Sequence, residues 1–217
     1  MPQITAIEPQ KKKDRFNVYI DGRFAFGIDE NVLVKNRLKI NQQLTGDQVQ
    51  NLIKETILGK FTDQALRFLS YRPRSKKEVV DYLVKKISQN ESVKYDRARE
   101  SPLIAKIIAK LTRYGYLNDL EFALWWFSAR TKSKPKGPAL IKAELVKKGI
   151  DKDTIENILP GQVDQVGFAK KAVEKKLKKW HGLPGLEFKK KFYSYLAGRG
   201  FDFDTIKETF AFLTKRR

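Results

Sequence analysis

Leu145 to Ile155 reads LVKKGIDKDTI and Leu196 to Ile206 reads LAGRGFDFDTI, so that Leu, Gly, both Asp, Thr and Ile recur at a constant offset of 51. In each copy an apolar helical stretch meets a glycine, Gly149 or Gly200, and an Asp then stands where the cap of a following helix belongs. Upstream, Phe122-Ala123 has a counterpart in Phe168-Ala169. In the other direction, LVKK at Leu83 to Lys86 recurs at Leu145 to Lys148, with Ala65 ahead of the first copy much as Ala123 is ahead of the second. The pattern predicts a mainly α protein, three tandem three-helix repeats of about 45 to 50 residues in an elongated curved array.

The copies are unequal. The first carries an insert, SQNESVKYDRARES, between its second and third helices, and the second has a longer basic link between its first two. Thr45 with Gln48 and Ser75 with Glu78 have capping-box spacing, and Asn118 with Glu121 is a weaker start signal of the same kind. Gly115, Gly149 and Gly200 stand where helices should stop, and Pro73, Pro102, Pro138, Pro160 and Pro184 punctuate the boundaries.

Ahead of the repeats, Ile4 to Glu8, Arg15 to Tyr19 and Arg23 to Ile28 alternate or favour β-branched and aromatic residues. A three-residue loop of Ile20, Asp21 and Gly22 is expected, setting Phe16 against Phe26 and Val18 against Phe24. Asp29 then caps a short helix from Glu30 to Arg37, which completes a small β-hairpin or sheet plus helix. The expected divisions are 1–45 for this extension, 46–60 for a connecting helix, and 61–118, 119–160 and 161–217 for the repeats.

The 217 residues contain 45 Lys plus Arg against 25 Asp plus Glu, a formal charge of +20 that points to a polyanion or to a partner carrying one. With 41% apolar residues the chain is able to bury a core. Cysteine is absent, which removes disulfides, thiolate metal sites and a cysteine nucleophile. No apolar run reaches membrane-spanning length and no secretory leader is legible, so a cytoplasmic location is expected, with no membrane partner.

The sharpest candidate for polyanion contact is RTKSKPKGP, Arg130 to Pro138. Across residues 130 to 148, Arg130, Lys132, Lys134, Lys136, Lys142, Lys147 and Lys148 face only Glu144. Pro138 starts a helix whose N–H groups would be open to a phosphate. The plainer reading is a solvated lysine loop, but so lopsided a charge exceeds what solubility needs. In YRPRS, Arg72 and Arg74 flank a helix-breaking Pro just before Lys76 and Lys77, and a turn there requires only the Pro and Ser75. Phe122, Trp125 and Trp126 share one helical face and read as core; YGYL at Tyr114 to Leu117 reads as a helix end with both tyrosines packed around Gly115. Asp151 with Asp153 and Asp202 with Asp204 occupy equivalent places before helices, and read as caps rather than metal ligands. His181, the one histidine, has no relay partner in spacing.

Three strings, ALRFLSYRPRSKKEVVDYLVKK from Ala65, LTRYGYLNDLEFALWWFSART from Leu111 and KGPALIKAELVKKGI from Lys136, resemble the RecX family of bacterial recombination regulators. The likeness is strongest over residues 61–160 and stays in register to 217, although LPGLEFKKKFYSYLAGRGF loses the Glu-Leu-x-x-Lys-Gly-Ile wording. The resemblance implies a non-enzymatic monomer, without cofactor or metal. It would bind the RecA recombinase filament on single-stranded DNA, lodge in its groove and suppress ATP hydrolysis and strand exchange, thereby modulating recombination, repair and the SOS response, with weaker binding to duplex DNA. The alternative is a helix-turn-helix protein acting directly on duplex DNA. Such a reader places Arg, Asn or Gln on one recognition helix, whereas the basic residues here are mostly Lys shared among the repeats.

Overall fold

The structure, a computed structural model, describes residues 1–11, 14–132, 134–159 and 164–214. Strands β1 (Ile4–Pro9), β2 (Arg15–Ile20) and β3 (Arg23–Asp29) form an antiparallel sheet in the order β1-β2-β3. Helix α1 (Glu30–Lys35) follows directly, and its first turn is capped by Asp29, whose Oδ1 accepts from the Val32 N–H at 2.9 Å.

The hairpin turn differs from the expected three-residue loop. Ile20 pairs with Arg23 and Tyr19 with Phe24, leaving Asp21 and Gly22 as a two-residue loop with φ of 49° and 77°. Two consecutive left-handed residues match the twist of hairpin strands, and Asp-Gly reaches that geometry at little cost. An irregularity beyond Tyr19 leaves Ala25 as an extra residue, so Val18 pairs with Phe26 and Phe16 with Ile28. The bulge, and not the loop, keeps the apolar set on one face. Val18, Phe26 and Ile28 are buried with Ile4, Leu38, Leu44 and Leu52, while Phe24, expected opposite Val18, is exposed.

Helix α2 (Gly46–Ser70) opens with the reciprocal cap: Gln48 N–H donates to Thr45 Oγ1 and Thr45 N–H to Gln48 Oε1. It runs 25 residues through the expected division at 60/61. One interior glycine costs a helix only about 1 kcal/mol. Here the buried side changes across Gly59: Leu52 and Thr56 are buried before it, and Phe61 and Ala65, on the opposite side of the helix, after it.

The first repeat continues with α3 (Lys76–Glu91), α4 (Tyr95–Arg99) and α5 (Pro102–Arg113). The second comprises α6 (Asp119–Lys132), α7 (Pro138–Lys147) and α8 (Lys152–Ile158), and the third α9 (Gln165–Trp180), α10 (Gly185–Ala197) and α11 (Phe203–Thr214). The short α4 belongs to the insert and is held by Arg99 to Asp81 at 2.7 Å. Pro160, read as a boundary marker, lies outside the described residues.

The repeated sequence has a structural reason. Helix α7 ends with Ile150 N–H donating to Leu145 O at 3.1 Å and Gly149 N–H to Val146 O at 2.9 Å; α10 ends with the same pair, Phe201 to Leu196 at 3.2 Å and Gly200 to Ala197 at 2.9 Å. Gly149 and Gly200 have φ of 78° and 83°, which the closing turn demands. In the first repeat α3 runs further before Val93 N–H closes on Ser88 O, with Ser92 left-handed at φ 51° in place of glycine. Each later repeat has its own core: Phe122, Ala123, Ile141, Leu145 and Ile155 in the second, and Ala169, Val173, Phe192, Leu196 and Ile206 in the third.

The chain divides into two compact units, Met1–Tyr71 with Val80–Tyr116, and Arg72–Val79 with residues from Leu117 onward. The first turn of α3 thus belongs with the second and third repeats. Among the described residues, no helix is long and apolar enough to cross a membrane.

Candidate functional site

The Arg72–Val79 segment, α6 and α7 bring most of the predicted basic residues together. Ser75 Oγ accepts from the Glu78 N–H at 3.2 Å, and Glu78 Oε2 turns back to the Ser75 N–H at 3.4 Å, so the capping box fixes where the Glu78 carboxylate lies. There it receives two N–H groups of Arg72, at 3.1 and 2.9 Å, and the Lys148 ammonium at 2.5 Å. Burial pushes the Glu78 pKa up, but the Arg72 and Lys148 bonds outweigh it and hold the carboxyl at about 2.

A second carboxylate, Glu144 on α7, accepts from Trp126 Nε1 at 2.9 Å, from Arg130 Nε at 2.7 Å and from the Lys136 ammonium. Burial raises its pKa and these three donors bring it below the usual carboxylate range. Trp126 connects the two centres: Arg130 lies 4.0 Å from its ring centroid and Lys148 5.2 Å. Arg72 lies 5.7 Å from the Trp125 ring. Cations over indole faces and charge-assisted hydrogen bonds are among the stronger polar contacts a protein makes. Arg72, Arg130, Lys136 and Lys148 are therefore engaged in holding α6, α7 and the start of α3 together. Phe122 and Trp126 are buried and Trp125 half-buried, in keeping with the core reading of the aromatic cluster.

The remaining candidates are placed differently. Lys76, Lys132, Lys134 and Lys147 are exposed. Lys77 is exposed too, with its ammonium bonded to the Lys147 carbonyl at 3.0 Å, at the end of α7. Lys142 is exposed, 3.9 Å from Glu156. Arg74 is half-buried, and burial first, then Arg72, lowers its pKa. Arg130 and Lys132 belong to α6, so the link is shorter than its sequence suggests.

The start of α7 is closed to a phosphate, contrary to the expectation from Pro138. Gly137 N–H donates to the Arg199 carbonyl at 2.8 Å, and a Cβ on Gly137 would fall 2.1 Å from Gly200 O. The turn that ends α10 covers that helix start. Arg199 Nη1 also donates to the Lys134 and Pro135 carbonyls, at 3.2 and 3.4 Å, and its guanidinium lies 4.8 Å from the Tyr195 ring. Sequence reading passed over Arg199, although it stands 51 residues after Lys148 and does the same work, tying one repeat to the one before it.

A second correction concerns Tyr114 and Tyr116. The helix stop at Gly115 is as expected, but the two rings are 63% and 58% exposed and do not pack around the turn. Asp151 and Asp202 cap α8 and α11, accepting from Thr154 and Thr205 N–H groups at 2.8 and 2.7 Å. Among the described residues no group of three or more His, Asp or Glu is placed to hold a metal. His181 is exposed at the end of α9.

Three-helix repeats stapled by half-buried ion pairs, with lysines left outside, define a basic helical-repeat protein. The RecX N-terminal domain model matches residues 2–45, and the models for the first, second and third three-helix domains of RecX match 63–91, 118–159 and 169–210. The chain is 41% identical over 209 residues to regulatory protein RecX of Bacillus subtilis (strain 168), covering 95% of this chain and 75% of that protein. It is 34% identical over 164 residues to regulatory protein RecX of Listeria monocytogenes serotype 4a, covering 75% of this chain and 57% of the other. Two crystal structures are similar: a regulatory protein RecX, with TM-score 0.70, 26% identity and coverage of 95% of this chain and 98% of that one, and RecX from Lactobacillus salivarius, with 0.58, 29%, 72% and 96%. The chain belongs to the RecX family of regulatory proteins.

Proposed function

We propose that this protein binds the RecA recombinase filament on single-stranded DNA and lowers its ATP hydrolysis and strand exchange, acting as a regulator rather than a catalyst. The observation that carries the reading is the division of labour among the basic residues. Arg72, Arg130, Lys136 and Lys148 are spent on two internal carboxylates, while Lys76, Lys132, Lys134 and Lys147 remain exposed on the same unit. A rigid body presenting exposed lysines suits shape and phosphate recognition more than base readout, which favours the filament over the duplex-reading alternative. Tandem repeats also let one chain touch several protomers, each further contact adding effective concentration.

The exposed lysines are the proposed contacts to the filament, and Arg72, Arg130, Lys136 and Lys148 support them by position. Co-sedimentation with recombinase assembled on single-stranded DNA tests the reading. Binding to the filament and not to free recombinase is expected; indifference to the filament together with tight, salt-insensitive binding to one duplex sequence would favour the alternative.

A further inference from the structure

We infer that the cleft between the N-terminal sheet, α1, α2 and the end of α5 binds a single strand of nucleic acid, with bases stacked on Tyr114 and Tyr116 and the backbone held by Arg15, Lys60, Arg67 and Lys110. The cleft has a volume of about 540 Å³ and lies wholly within the first compact unit. That volume is within the usual span of small-ligand pockets and is enough for one extruded nucleotide.

The charge balance inside the cleft favours an anion. Of its acids, Glu55 is occupied by Lys35 at 2.6 Å and Asn36 at 2.9 Å, and Asp29 by the first turn of α1. That leaves Asp14 and Asp63 against the four cations. Arg15, half-buried, lines the cleft and brings a fixed positive charge to it. Lys60 donates to a neutral amide, Asn90, at 2.5 Å and lies 5.8 Å from the Phe61 ring, so among the described residues no carboxylate is paired with it.

The tyrosines supply the other half of the chemistry. Two large rings on either side of Gly115, each more than half exposed, contribute little to a core. Every base has a π face that stacks on such a ring, so aromatic platforms beside cations recognise single strands without sequence preference. A duplex keeps its bases stacked on one another and offers no face to them. The inference gives the N-terminal extension a role as one wall of a nucleic-acid site, and it does not depend on the recombinase reading.

Binding of the full chain to fluorescein-labelled oligothymidylate, followed by anisotropy, tests it without recombinase. The pair Tyr114→Ala/Tyr116→Ala should weaken binding about tenfold or more, and the pair Tyr114→Phe/Tyr116→Phe should retain it, since phenylalanine stacks as well. The pair Lys60→Gln/Lys110→Gln should flatten the salt dependence by about 0.7 per lost contact. Ala variants that bind like the parent, Phe variants that lose as much as Ala, or a parent that ignores oligothymidylate would each overturn the inference. Loss of recombinase inhibition in the Ala pair with oligothymidylate binding intact would make the cleft a protein-docking site instead. Failure of the recombinase reading alone would leave the oligothymidylate result unchanged.

Discussion

Lys148 and Glu78 meet at 2.5 Å although 70 residues separate them, and through this contact the end of α7 is fastened to the first turn of α3. The carboxylate is also chelated by Arg72 and is only 14% exposed, so its charge is not neutralised by water.

The first prediction follows from that pair. The Glu78 carboxyl falls from the ordinary 4.5 to about 2 in the folded protein, so its contribution is present above pH 4.5 and is lost as pH drops towards 2. A shift of that size corresponds to at most about 3 kcal/mol, and screening by the water that still reaches the group lowers it. Glu78→Gln should lose about 1 to 3 kcal/mol at neutral pH, because Arg72 and Lys148 are left without an anion, and its urea midpoint should vary less with pH across that window. A variant whose pH profile runs parallel to the parent's would refute the role given to Glu78.

The joint between the second and third repeats gives the next. A Cβ at Gly137 would meet the Gly200 backbone at 2.1 Å, and one at Gly200 would meet Leu140 at 2.5 Å. Backbone cannot swing aside as a side-chain tip can, so Gly137→Ala should cost about 1 to 3 kcal/mol or more. Gly185, with nothing within 4 Å, is the control, and Gly185→Ala should leave the thermal midpoint unchanged or slightly raised. Equal melting of the two variants would contradict the close approach at Gly137.

The lysines at the end of α6 and in the link after it separate into two classes. Lys132→Gln with Lys134→Gln should weaken filament binding while stability changes by less than about 0.5 kcal/mol, as is usual at exposed sites. Lys136→Gln should instead lower stability, since it removes a donor from Glu144. Replacing all three together would confuse contact with folding. Chemical denaturation beside filament co-sedimentation distinguishes the classes, and equal stability loss in both would sink the division.

What the sequence discloses and what it hides divide along physical lines. The 51-residue offset is legible because each second helix must end on the same left-handed turn, at Gly149 and again at Gly200. The caps at Thr45, Ser75, Asp151 and Asp202 are legible because they are local hydrogen bonds three residues apart. The register of β2 against β3 is not, since a bulge and a shorter loop achieve the same buried face as the longer loop alone. Nor does charge density along the chain tell which lysines face outward. Lys136 and Lys148 look like Lys134 and Lys147 in sequence, and only the positions of Glu144 and Glu78 in space separate them. The exposure of Tyr114 and Tyr116 is hidden for the same reason, because a helix stop fixes the backbone and leaves the fate of its flanking rings to the neighbouring elements.

The proposed restraint of a recombinase filament is read out by the steady-state rate of ATP hydrolysis by the cognate RecA recombinase on single-stranded DNA. Titrating the intact protein should reduce that rate at well below one copy per recombinase protomer, since in the proposed function one chain with several repeats would contact more than one protomer. An ATPase rate that stays flat up to and beyond one copy per protomer, with filament assembly independently confirmed, would contradict the account.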